Sequence, residues 1–399
     1  MMRIGMILDN EYTTDARVPN EAKYLVNHGH EVYVLCLNFN KFPFFENIEE
    51  VNVVRFNMSR KRKNLLFGMV NTFPLYDCIW TKKIKEFIRK YQPDALHVHD
   101  LYMAKAAYDA NKNTRLPITL DLHENFPSAI MGYTWATSFP RNLLAKPKRW
   151  KRKEYPYLSY AANLVVLSDA FRQTLCTEYP MLKTKKFVVY PNVPDTEWFL
   201  SVPVNSSILG RSDKFVLLYF GVIGIRRGMV TCFEALKRLI PQIPEIQLLM
   251  IGPVDKADQP VFQQYAENTE LKNHIIHYPW KDIAELPSYI TASDICLAPS
   301  VNSPQHDSGI GNKVFQYMLF ERAVVLNDSR PHQELINEAR CGCVFHDLDV
   351  DDFAEKIKML YLHPEMRKEM GQNGKKAVMK KYNLAMAGQS LVHLYECKP

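Results

Sequence analysis

The sequence predicts an α/β protein made of two doubly wound parallel-sheet domains in tandem. Three observations carry this reading. Short β-branched runs alternate with longer amphipathic segments from the first residues onward. The same alternation restarts after a proline-rich break near residue 200. A chain of 399 residues, 47% hydrophobic and 23% charged, has enough apolar material for two sizeable cores and excludes a disordered or collagen-like polymer.

Taken in order, RIGMIL reads as a strand, ARVPNEAKYLVNHG as a helix that Gly29 ends, and EVYVLCL as a second strand. VNVVRF, a long helix over Leu75–Tyr91, ALHVH, a helix over Lys105–Asn111, PITLDLH and ANLVVL continue the pattern. Strands alternating with helices imply a parallel sheet covered on both faces. Around Pro191, Pro194 and Pro203 neither period persists, and residues 192–213 read as an interdomain linker that closes a first domain at 1–191. KFVLLYFG, a helix from Met229 to Leu239, IQLLMIG, DICLAPS, a helix over Asn312–Phe320 and AVVLND then build a second domain, 214–382. The tail from Val350 reads as three helices, the first capped by Asp351, the second opened by Pro364, the third over Leu384–Glu396 within a closing segment 383–399. Ligands of such folds bind at the carboxyl ends of the strands, so two tandem domains are expected to face a cleft there.

The first 200 residues carry 28 basic and 20 acidic side chains and the remainder 22 and 23, so the formal charge of +7 is a surplus of the first half. Such asymmetry points to an anionic partner: a phosphorylated acceptor, an acidic membrane leaflet or nucleic acid. RKRK at 60–63 and the seven basic residues of 141–153, interleaved with Trp150, Tyr155 and Tyr157, favour an anionic membrane surface over a merely solvated basic face. No nucleic-acid motif is present, and no nucleic acid is expected. Eight cysteines, from Cys36 to Cys397, read as buried free thiols of a reducing compartment, and Cys341-Gly-Cys343 lacks a second pair at zinc spacing. MMRIGMILDN fits no signal peptide, and no run of eighteen apolar residues occurs. The expected location is the cytoplasm, peripheral at the cytosolic face of a membrane.

Three motifs carry chemistry. In SPQHDSGIGNKVFQYM, Gly309 and Gly311 let the backbone approach a ligand, while Asn312 and Lys313 offer donors where a helix dipole favours an anion; the rival is an ordinary loop with a solvated lysine. In YFGVIGIRRGMV, Gly221, Gly224 and Gly228 are spaced G-x2-G-x3-G, which is not the dinucleotide fingerprint, so no nicotinamide cofactor is expected. Arg226 and Arg227 in that turn suit bidentate phosphate recognition, with a structural turn as the rival. ITLDLHENFP delivers Asp121, His123 and Glu124 to a strand end, where a carboxylate can fix the imidazole, while His97 and His99 are expected to pack or orient neighbours. The carboxylates of DLDVDD are read as a helix cap rather than a metal pair.

In this order the segments YFGVIGIRRG, IQLLMIG, DICLAPS and GNKVFQYMLFERAVV resemble the donor domain of glycosyltransferase family 4, whose fold is GT-B with two Rossmann-like domains. DARVPNEAKYLVNHGHEVYVL, PDALHVHD, ITLDLHENFP and VVYPNVPDTEWF resemble its acceptor domain. The resemblance spans nearly the whole chain and implies a closing helix that returns to the first domain. It implies transfer of a sugar, with retention and without a metal ion or other cofactor, from a nucleotide-diphosphate sugar to a lipid-linked or oligosaccharide acceptor, in cell-surface polysaccharide synthesis. UDP is favoured over GDP on family frequency. Arg226 and Arg227 match the family's basic pair, Lys313 adds a further cation, and His123 matches a histidine contacting the donor sugar; Asn192 and Asp195 match a structural hinge motif. Two departures stand out. Ser308 and Gln316 occupy the positions of two glutamates common in the family; Gln316 keeps an acceptor for ribose, whereas Ser308 is too short to reach a sugar, leaving Asp307 as a candidate substitute. The glycine-rich first loop is replaced by LDNEYTTDARV, which brings Asn10 and Thr14 forward as donor contacts. Trp280 is read as a buried aromatic or as a neighbour of the base. A non-catalytic scaffold and a nucleotide-sugar epimerase of the same fold remain as alternatives.

Overall fold

Buried β-branched runs form two sheets, in a computed structural model that describes residues 1–15, 17–210 and 213–396. The chain divides into two units: Met1–Pro191 with the described residues from Ala387 on, and Asn192–Met386.

In the first unit the strands are β1 (Arg3–Leu8), β2 (Glu31–Asn38), β3 (Phe45–Ile48), β4 (Val51–Asn57), β5 (Ala95–His99), β6 (Ile118–Asp121), β7 (Asn163–Val166) and β8 (Lys186–Val189). They lie in the order β3-β4-β2-β1-β5-β6-β7-β8. All neighbours are parallel except β3 and β4, a hairpin at the edge. The central strand pairs Ile4 with Ala95 on one side and Arg3 with Glu31 on the other. Helices cover both faces, and all five residues of β5 are buried, polar histidines included.

The second unit holds β9 (Phe215–Phe220), β10 (Ile246–Ile251), β11 (Ile275–Tyr278), β12 (Ile295–Ala298), β13 (Ala323–Asn327) and β14 (Gly342–Phe345). Their order is β11-β10-β9-β12-β13-β14, parallel throughout. Winding reverses between β1 and β5 in one sheet and between β9 and β12 in the other. Loops leaving these strand pairs diverge, which opens a crevice at each carboxyl edge.

Several local expectations are corrected. The helix Val350–Leu362 is capped by Asp349, whose Oδ1 accepts from the Asp352 amide at 2.9 Å; Asp351 instead lies in the first turn and pairs with Arg238. A cap must keep extended backbone, and Asp349 has it, with φ −80° and ψ 99°. Within 192–213 a short helix, Thr196–Ser201, is capped by Asp195 accepting from the Trp198 amide at 3.0 Å; Arg211 and Ser212 lie outside the described residues. Trp150 and Tyr157 are core residues, not interfacial rings: with Glu154 and Leu158 they form the buried stripe of the helix Arg149–Ser159, and only Tyr155 is exposed. Cys78 is exposed and Cys343 half-buried, Cys36, Cys176, Cys232, Cys296 and Cys341 are buried and free, and Cys397 lies outside the described residues. Among the described residues no helix is long and apolar enough to cross a membrane.

The helix Leu384–Glu396 reaches the sheet of the first unit through Tyr395, whose hydroxyl lies 2.7 Å from His97 Nδ1. His97 Nε2 faces carboxylates and so carries the proton, which makes Nδ1 the acceptor. Replacing Tyr395 by Phe strands that buried nitrogen and should cost about 1–3 kcal/mol. Urea unfolding of the variant tests it; an unchanged midpoint would show that the contact contributes nothing.

Candidate active site

At the carboxyl edge of the first sheet a cluster of charges is assembled around Asp121, the last residue of β6. Asp15 Oδ1 accepts the amides of Arg17 and Val18 at 2.9 Å, starting the helix Val18–Asn27 and fixing where Arg17 enters. Arg17 then grips Asp121 with a fork, Nη2 to Oδ1 at 2.9 Å and Nε to Oδ2 at 3.2 Å, while Nη1 donates to the Tyr190 carbonyl at 2.9 Å. Its Nε also lies 2.7 Å from Glu21, one helical turn on, and the guanidinium stacks 4.5 Å over the Tyr190 ring. Burial alone would raise the Asp121 carboxyl, but the charges of Arg17 and His123 outweigh it and hold the group well below its ordinary range. Glu21 takes the opposite course, lifted by burial and by the Asp121 charge.

His123, two residues past β6, receives the output of this cluster. Its Nε2 lies 3.3 Å from Asp121 Oδ2 and 3.1 Å from His99 Nδ1. Burial pushes His99 down to about 3, so it is neutral and accepts. For His123 burial also opposes charge, yet Asp100 and Asp121 prevail and push it up to about 9. Asp100 is held at φ +71°, a backbone that side-chain-bearing residues rarely adopt, with one oxygen accepting from the Tyr102 hydroxyl at 2.9 Å. Its other oxygen stands 3.8 Å from His123 Nδ1, too far for a hydrogen bond. That Nδ1–H is the donor the imidazolium keeps for a ligand.

The second unit builds a cationic basin at the β9/β12 switch. Gly221 follows β9, and Gly228, at φ +80°, lets the loop pass so close to β12's exit that a Cβ would lie 1.9 Å from the Pro299 carbonyl. Between them Arg226 and Arg227 form a turn at the start of the helix Met229–Leu239. Across from it runs 299–311, tied in by the Val301 amide donating to the Arg226 carbonyl at 3.1 Å. His306 Nδ1 donates to the Val301 carbonyl at 2.6 Å, which leaves Nε2 unprotonated, 3.4 Å from Arg227 Nη1, to accept from it. Lys313 opens the helix Asn312–Leu319 and sets its ammonium 3.9 Å over the Tyr219 ring. Burial and the Arg227 charge push it down to about 7, and it makes no salt bridge among the described residues. The Asn312 side-chain oxygen is buried there without a hydrogen bond, and beside Gly221 and Gly311 a Cβ would meet open space. Backbone amides, a helix N-terminus and three cations around open space suit a diphosphate.

Two family profiles match the chain, one described as "Glycosyltransferase Family 4" over residues 17–198 and one as "Glycosyl transferases group 1" over residues 205–377. The chain belongs to glycosyltransferase family 4. It is 27% identical to EpsD of Bacillus subtilis (strain 168) over 186 residues, 46% of each chain, so the match spans about half of that relative. Sucrose-phosphate synthase (tll1590) from Thermosynechococcus elongatus superposes with a TM-score of 0.76 at 17% identity, covering 99% of this chain and 98% of that one. Anabaena Alr3699/HepE in complex with UDP superposes with a TM-score of 0.73 at 14% identity over the whole of both chains. These likenesses establish the GT-B fold.

In this family 4 chain the expected site residues fall into the two clusters as far as they converge at all. Gln316 is buried on the Lys313 helix. Ser308 is buried too and turns its hydroxyl to the Gln305 carbonyl at 2.6 Å, while Asp307 accepts from the Arg330 amide at the start of another helix. Asn10 and Thr14 lie in the loop after β1, where Thr14 donates to the Glu11 carbonyl at 3.1 Å, and Glu124 accepts from the Tyr133 hydroxyl at 3.1 Å. Trp280 is 73% exposed after β11, which corrects the buried reading. Sequence reasoning missed Arg17, Glu21, Asp100 and His306. Glu21, His97, His99 and Asp121 place four ligand-type atoms within 4.8 Å of one another, as a metal site would. Here the Arg17 guanidinium already supplies the positive charge those carboxylates require.

Asp121→Asn removes the anion shared by Arg17 and His123, and breaking such a buried pair should cost about 3–5 kcal/mol. The His123 proton contributes stability below its ordinary pKa, and that contribution fades as pH rises through about 9. NMR titration of labelled histidine should therefore show His123 titrating near 9 in the parent chain and at least one unit lower in the variant. Identical titration curves would exclude Asp121 as the cause.

Proposed function

We propose that this chain transfers a sugar, with retention and without a metal ion, from a nucleotide-diphosphate sugar bound by the second unit to a lipid-linked or oligosaccharide acceptor bound by the first. The observation that carries the donor half is the basin of Arg226, Arg227 and Lys313 around the open space at Gly221 and Gly311. Negative charge grows on the diphosphate as the glycosidic bond breaks, and cations already in place stabilise it without rearrangement. Gln316 supplies both a donor and an acceptor for ribose hydroxyls. His123 keeps its Nδ1–H on the first unit as a fixed cation rather than as a base. Anabaena HepE is known in complex with UDP and with UDP-glucose, which supports a uridine nucleotide here.

The acceptor half rests on charge. The basic excess of the first 200 residues suits a phosphate-bearing acceptor at the cytosolic face of a membrane, as in synthesis of a cell-surface polysaccharide. A scaffold reading draws on one feature, Ser308, whose hydroxyl is turned to backbone and leaves the sugar end of the basin without the family's carboxylate.

Calorimetric titration with UDP, GDP and ADP separates these readings. UDP should bind selectively, and Arg227→Ala and Lys313→Ala should each weaken it about tenfold or more. Because Lys313 sits near 7 when the basin is empty, diphosphate binding should draw a proton onto it above that pH. Affinity should accordingly fall between about pH 6 and pH 8.5 in the parent chain, and this slope should vanish in Lys313→Ala. No binding of any nucleotide would leave the scaffold reading.

A further inference from the structure

We infer that the first unit carries a binding site for a phosphate-bearing membrane lipid, in a cavity between the helix Arg60–Gly68 and the segment 135–145. The cavity has a volume of about 660 Å³, and its lining includes Phe67, Met69, Trp135 and Leu144 with Lys63 and Arg141 among them. That volume suits a drug-sized or acyl-chain ligand. Phe67, Met69 and Trp135 are half-buried, whereas Leu144 and Arg141 are exposed, so the apolar lining runs from the interior out to the surface.

The surroundings identify the occupant. Residues 51–76 contain five basic side chains, of which Arg55 is buried, and 125–153 contain seven, and neither segment holds an Asp or Glu. The same two segments expose Leu65, Phe73, Leu75, Phe139 and Leu143, each by half or more of its surface. Lys63 and Lys151 pair with acids from outside these segments, but Arg60, Lys61, Arg62 and Arg141 are exposed without a salt bridge among the described residues, and apolar side chains left in water beside them match a leaflet with anionic head groups, where tails take the first and phosphates the second. A soluble anion would use the cations and leave the apolar surface unexplained.

Packing also connects the cavity with the cluster at the sheet's carboxyl edge. Phe67 contacts Tyr102, ring centroids 4.8 Å apart, and Tyr102 bonds Asp100, which faces His123. Lys63 donates to the Asp9 carbonyl, just past β1, at 2.9 Å and lies 3.3 Å from the Asp9 carboxylate, so a lipid phosphate would share its ammonium with Asp9. A lipid with its tail against Phe67 and Trp135 and its phosphate at Lys63 and Arg141 would present its head group toward His123. Naming that lipid as the acceptor rests on the glycosyl-transfer reading; the binding itself does not.

The test uses the full chain without nucleotide and vesicles of phosphatidylcholine with or without phosphatidylglycerol. Phosphatidylglycerol brominated in its acyl chains should quench tryptophan fluorescence in a parent chain carrying Trp198→Phe and Trp280→Phe, which removes the exposed rings of the second unit, and Trp135→Phe in that background should abolish the quench while the buried Trp80 and Trp150 stay silent. Leu144→Glu and Arg141→Glu, both surface changes, should lower vesicle affinity tenfold or more with the thermal midpoint preserved. Inorganic phosphate should fail to displace the protein. Equal binding to neutral vesicles, absence of a Trp135 quench, or complete displacement by phosphate would each overturn the site. Lipid capture with no sugar transfer would uphold it and remove the acceptor assignment.

Discussion

A parallel sheet wound in two directions from one strand has a constraint that everything else here follows. Consecutive crossovers leave the sheet on opposite faces, so the loops after the two central strands separate and leave their backbone amides and side chains facing a gap. In the first sheet that gap lies between β1 and β5, and the loops around it carry Asp9, Arg17, Asp100 and, beyond β6, His123. In the second it lies between β9 and β12, where the arginine pair and the 299–311 loop meet. Hydrophobic runs decide where strands form, and their ends decide where chemistry can be placed.

The first gap shows how a buried charge is tolerated. Arg17, Asp121, Glu21 and three histidines lie where desolvation is severe, and no single pair would offset it. The fork of Arg17 bonds both oxygens of Asp121 while its remaining nitrogen finds the Tyr190 carbonyl, so the guanidinium and the carboxylate that matter most satisfy one another. The consequence is directional. Asp121 stays anionic, His99 stays neutral, and the proton that balances the cluster resides on His123 at its edge, where one N–H is left for a ligand.

How far this was legible from the sequence depends on whether a signal was local. FVLLYF is a continuous apolar run, IQLLMI is broken only by Gln247, and LHVH alternates apolar residues with histidines, so these strands stand out; β3, β8, β11 and β14 are four residues each, lie at sheet edges, and have polar neighbours that blur the pattern. His123, Arg226, Arg227 and Lys313 were visible because each sits just past a strand or at a helix start. Arg17 and Glu21 were not, since the spacing i, i+4 at the head of an amphipathic helix reads as an exposed ion pair; only the tertiary fold sets it over β6. His306 looked like one polar residue among several in SPQHDSG, and its role depends on a carbonyl five residues back. Trp150 and Trp280 exchanged places with expectation: helical register turns Trp150 to the core, whereas Trp280 lies in the loop after β11 with no element to turn it inward.

The substitutions at 308 and 316 bear on the same balance in the second gap. A glutamate at either position would give Lys313 a carboxylate within its own helix or the loop before it. With serine and glutamine there, the ammonium rests on the Tyr219 ring beside Arg227 and is pressed toward its neutral form. Such a basin is under-compensated until an anion arrives. A diphosphate bound there, as proposed above, would supply the missing charge and couple its binding to Lys313 protonation, so that affinity would depend on pH as it would not in a carboxylate-buffered site.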